Sequence, residues 1–192
     1  QLENTISATY YIIQYCCKVF KDIDLSVQDI KDDLIKEYNA QFMRSPTDNQ
    51  IISILKEQGK HQLLKAIKTK PLDDIIRSDA YYLTNLDLML LAKAYNLPLV
   101  FFTSASSGLM ELKHEQFKQM WIVKNQMTEK ASIFIRLAGI RRDTVPTYSF
   151  IRDNESILIS QKNLSSDMID MMKAYRKRPS FVDFIDFYNK KK

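Results

Sequence analysis

The sequence predicts an α+β fold, a small sheet joined to a helical lobe. Elements fall in the order helices, strands, helices, not as a strict βα alternation. The stretch Leu86 to Tyr95 is nearly all apolar, as in a helix buried on most sides. Directly after it, Leu99-Val100-Phe101-Phe102 is the short continuous apolar run of a central strand.

Each element has its own signal. Ile6, Tyr10, Ile13, Cys17 and Phe20 recur at spacings of three and four, which predicts a helix over residues 5–20 with one buried face. Ser26 followed by Asp29 is a capping pair for the next helix, whose inward stripe is Val27, Ile30, Leu34 and Tyr38. Arg44 to Asp48 reads as a turn, and a third helix carries Ile51, Ile54 and Leu55 up to Gly59. A short helix follows through Leu63, Leu64 and Ile67. Pro71 opens another with Ile75 and Ile76 inward, and Asn85 is the expected cap of the apolar helix. After the 99–102 strand, further strands are expected at Met110–Leu112, Trp121–Val123, Ile133–Ile135, Tyr148–Ile151 and Ile157–Ile159. Ser165 or Ser166 then caps a helix to Tyr175, and Ser180 opens one from Phe181 to Asn189. The 5–20 and 85–95 helices are expected to pack on a sheet holding the strands near 99–102, 133–137 and 148–151. The division is an α+β domain over 1–160 and a basic helical extension over 161–192.

Composition removes several classes of function. The 192 residues can bury a core without a metal or disulfide staple. Three glycines, Gly59, Gly108 and Gly139, are too far apart for a phosphate-cradling loop. His61 and His114 with the adjacent Cys16 and Cys17 match no zinc-ligand spacing, so neither metal nor cofactor is expected. Neighbouring cysteines in one helix rarely bridge, which favours a reducing, intracellular setting. No apolar run of membrane-spanning length is present. The chain opens on Gln1 and shows no signal peptide, so it reads as an excised domain of a larger protein or a chain from which a tag was removed.

Few side chains carry chemistry on their own. Cys16 and Cys17 lie about three turns inside their helix, beyond the N-terminal field that acidifies a thiol, and read as small buried hydrophobes. His61 and His114 stand in polar stretches and read as surface residues. Asp32-Asp33 and Asp73-Asp74 are adjacent in helices, so each pair diverges and forms no acid–base dyad. The net charge of +5 is concentrated at the end: from Lys162 on there are eight Lys or Arg and four Asp. Lys173, Arg176, Lys177 and Arg178, with Tyr175 and Phe181 between and beside them, form a basic patch that could meet nucleic acid. A solvated helix face is the plainer reading.

The segment Leu72 to Phe102 resembles the ovarian-tumour (OTU) family of papain-like cysteine proteases, through Leu88 to Ala92 on its helix and Asn96 to Phe102 on the turn into the strand. More weakly, the likeness extends over residues 4 to 151. It implies a papain-like OTU fold with a small, mostly antiparallel sheet packed between helices. In that family the nucleophilic Cys follows Asp-Gly-Asn at the start of the first long helix. Here Asn4 matches the Asn, Thr5 stands in the Cys place, and Leu2-Glu3 replaces Asp-Gly. The family's His precedes an aromatic residue on a late strand, and Thr147-Tyr148 occupies that place with Thr for His. The resemblance thus implies a domain that has lost its nucleophile, its base and its oxyanion loop. Such a domain would serve as an interaction or scaffolding module whose partner is ubiquitin or another part of the parent protein. The Ile-, Lys- and Asn-rich composition suits an AT-rich genome, as in the OTU-like domains of large DNA viruses, with a cytoplasmic or virion-associated setting. Two alternatives stay open. One is an active deubiquitinase using Cys16 or Cys17 with His61 or His114. The other is a nucleic-acid-binding accessory domain using the terminal basic patch.

Overall fold

In the computed structural model the described residues are 5–42, 60, 72–104, 117–122, 131–137, 145–152, 155–164, 166, 169–170 and 172–173. They form four helices, α1 (Ile6–Lys21), α2 (Val27–Phe42), α3 (Leu72–Arg77) and α4 (Asn85–Ala94). The strands are β1 (Leu99–Ser104), β2 (Phe117–Ile122), β3 (Ala131–Leu137), β4 (Tyr148–Phe150) and β5 (Leu158–Ser160), followed by a 3₁₀ turn at Gln161–Asn163. This is the expected α+β arrangement. The expected helices near 47–59 and 63–67, the strand at 110–112 and the helix at 181–189 lie outside the described residues.

The first two helices form where the sequence places them. Thr5 caps α1 by accepting a hydrogen bond from the Ala8 N–H at 3.2 Å. Tyr10, Ile12, Ile13, Cys16 and Cys17 face the core, while Ile6 and Phe20 pack at its margin. Asp22 ends the helix in the left-handed conformation, φ 51°. At the start of α2 the pairing is reciprocal: the Asp29 N–H donates to Ser26 Oγ at 3.0 Å, and the Ser26 N–H to the Asp29 carboxylate at 2.9 Å. Ile30, Leu34 and Tyr38 are buried. Val27 is not; as the first residue of the helix it projects toward solvent ahead of the stripe that meets the core.

The cap of α4 corrects the sequence reading. Thr84, not Asn85, precedes the helix, and Asp87 in its first turn accepts the Thr84 N–H at 3.0 Å. Asp87 sits three residues beyond the cap, the position from which a carboxylate reaches back. The helix is buried almost all round, and packs on α1, α2 and β1. It ends in a Schellman turn: Leu97 N–H donates to Ala92 O at 2.8 Å, Asn96 N–H to Lys93 O at 3.3 Å, and Asn96 holds φ 54°. That turn delivers the chain straight into β1.

The described sheet runs in the order β2-β1-β3-β4, with β5 also paired to β3. β1 is central, antiparallel to β2 and parallel to β3, and Leu99, Val100 and Phe101 are buried. β4 and β5 both run antiparallel to β3 along one edge. Phe150 faces Ile135 and Leu158 faces Ile133, so eight residues on one side advance only two on the other. Ile157, just ahead of β5, is buried. The sheet is thus mixed, with three of its four pairings antiparallel. Helix α1 meets this edge where the Tyr15 and Phe150 rings pack at a 50° tilt with centroids 5.3 Å apart. Beyond β5, Leu164 and Met172 are buried, so the first part of the 161–192 stretch contributes to the packing. No helix among the described residues is long and apolar enough to cross a membrane.

Candidate functional site

The thiols can be placed first. Cys16 and Cys17 are both free and buried in the interior of α1. Burial, reinforced by the neighbouring Cys17, pushes the Cys16 thiol up to about 12. Burial also raises Cys17, to about 11, against the opposing pull of Lys21. A nucleophilic cysteine needs the reverse: an exposed thiolate near a base or a helix N-terminus. His61 and His114 lie outside the described residues.

Thr5 occupies the N-cap of α1 and is exposed. Thr147 is half-buried and stands one residue before β4, not on the strand itself. Asn4 lies outside the described residues. The surroundings of the two threonines are joined through one stretch of chain. One turn beyond Thr5, Thr9 Oγ1 accepts the Leu83 N–H at 3.0 Å. Next to Thr147, the buried Tyr148 hydroxyl donates to Asn85 Oδ1 at 3.2 Å. Residues 83–85, leading into α4, therefore hold both the first turns of α1 and the start of β4. The Asn85 amide nitrogen is buried here with no hydrogen-bond partner among the described residues.

A second polar centre went unrecognised in the sequence. Lys60, in the polar stretch beside His61, has a fully buried side chain. Its ammonium donates to the Asp87 carboxylate at 2.6 Å and to the Tyr81 hydroxyl at 3.0 Å, and lies 5.5 Å from the Tyr82 ring centroid. Asp87 also accepts from the Tyr38 hydroxyl at 2.6 Å and the Tyr81 hydroxyl at 2.9 Å. Tyr10, on α1, donates to the Tyr81 carbonyl at 2.7 Å. One carboxylate thus ties together α2, Lys60, the 81–84 link and the start of α4. Desolvation lowers the Lys60 ammonium, opposed by Asp87, and raises the Tyr81 and Tyr148 hydroxyls. With every acceptor site of the carboxylate engaged and the cation sealed from solvent, the chemistry of this centre is cohesion. The signal that could have found it was Asp87 itself, an acid in an otherwise apolar helix.

Asp32 and Asp33 diverge as expected: Asp32 pairs with Arg77 at 2.6 Å on the surface, and Asp33 accepts the Tyr95 hydroxyl. Asp74 is exposed and Asp73 half-buried. Lys173 is exposed, whereas Arg176, Lys177 and Arg178 lie outside the described residues. No group of His, Cys, Asp and Glu among the described residues could hold a metal ion. No protein-family model, curated protein or solved structure matches the chain.

Proposed function

We propose that this chain is a catalytically inactive OTU-like domain that works as a protein-interaction module within a larger protein. The observation that carries the reading is the exchange of positions in α1. A threonine holds the N-cap, where a papain-like enzyme needs its thiolate, and both thiols sit in the buried interior with raised pKa values. The field of the helix N-terminus fades within the first turn, so it does not reach Cys16 or Cys17. A threonine hydroxyl without an adjacent base is a very poor nucleophile. The resemblance of Leu72 to Phe102 supplies the family. The shared anchorage of α1 and β4 on residues 83–85 supports the pairing of Thr5 with Thr147 as the vestige of a dyad. Ubiquitin, or a neighbouring part of the parent protein, is the proposed partner.

A ubiquitin bearing a C-terminal electrophile tests the reading directly. The expected result is no covalent adduct and no cleavage of ubiquitin chains. Thr5→Cys with Thr147→His is expected to restore little, because the Asp-Gly of the oxyanion loop is replaced by Leu2-Glu3. One oxyanion donor is typically worth about 10²–10³ in rate. An adduct on Cys16 or Cys17, lost in the corresponding Cys→Ala variant, would overturn the proposal in favour of an active deubiquitinase.

A further inference from the structure

We draw no further inference here: the strongest candidate, the exposed apolar row of Tyr11, Val19 and Ile23 along α1 and just past its end, carries none because nothing in the structure shows what covers it.

Discussion

Replacing Asp87 by Asn keeps the size of the side chain and removes the counter-charge of Lys60. The ammonium is then left buried against the Tyr81 hydroxyl and the Tyr81 and Tyr82 rings, with no counter-charge from residue 87. Breaking a buried pair from one side typically costs about 3–5 kcal/mol, because the surviving charge is uncompensated. The same change weakens the cap at Thr84, a contribution of about 1 kcal/mol. These terms overlap, so about 4 kcal/mol is expected in total. That is a large share of the 5–15 kcal/mol typical of a domain. Lys60→Met should cost less, since the carboxylate keeps two tyrosine hydroxyls and a backbone N–H. The decisive variant is the double one. If the Asp87→Asn penalty comes from a stranded cation, adding Lys60→Met should recover about 1–2 kcal/mol, against the further loss that simple additivity demands. Urea unfolding, followed by circular dichroism with an unchanged m value, reads all four proteins. A single-variant loss below about 1 kcal/mol, or additivity in the double, would refute the sealed pair.

Native protein treated briefly with iodoacetamide should take up no label on Cys16 or Cys17, and both should react in urea; rapid native alkylation would show that α1 opens there. Stability should fall as pH rises from about 9. The folded thiols, near 12 and 11, keep protons that unfolded thiols release around 9.0, and the buried tyrosines act the same way above 10.0. Lys60, lowered in the folded state, opposes this, so Lys60→Met should steepen the alkaline loss in urea midpoint. Arg77→Ala should cost under about 1 kcal/mol, because its bridge to Asp32 is half exposed on both sides. Asp22→Gly should raise the unfolding free energy measured in urea by about 0.5–1 kcal/mol, relieving a left-handed non-glycine residue.

What sequence could and could not disclose follows from how locally each feature is determined. Helix α1, the Ser26–Asp29 cap and the buried run of β1 are written in spacings of a few residues, and they form as read. Hydrophobic periodicity also gave the inward faces of Ile30, Leu34 and Tyr38, because a stripe on one helix needs only some core to face. It failed at Val27, where the helix begins before the core does. The cap of α4 was placed one residue late. Asn85 and Thr84 are both competent caps, and only the reach of Asp87 back to Thr84 separates them.

The Lys60 centre was hidden for a deeper reason. A lysine beside Gly59 and His61 carries every local mark of a surface, and its partner stands 27 residues further on. Nothing within one helical turn of either residue foretells the other. Yet Asp87 alone posed a question that local reading could have asked. An acid within Leu86 to Leu91 must either face solvent or find a cation and donors in the interior. A helix apolar on nearly every side leaves it no solvent face, and burying an unpaired carboxylate costs too much to persist. The remaining choice was a buried cation drawn from elsewhere in the chain, with tyrosine hydroxyls completing its shell. An isolated charge in an apolar helix is thus a long-range constraint: it specifies the chemistry of its partner before the fold specifies which residue that partner is.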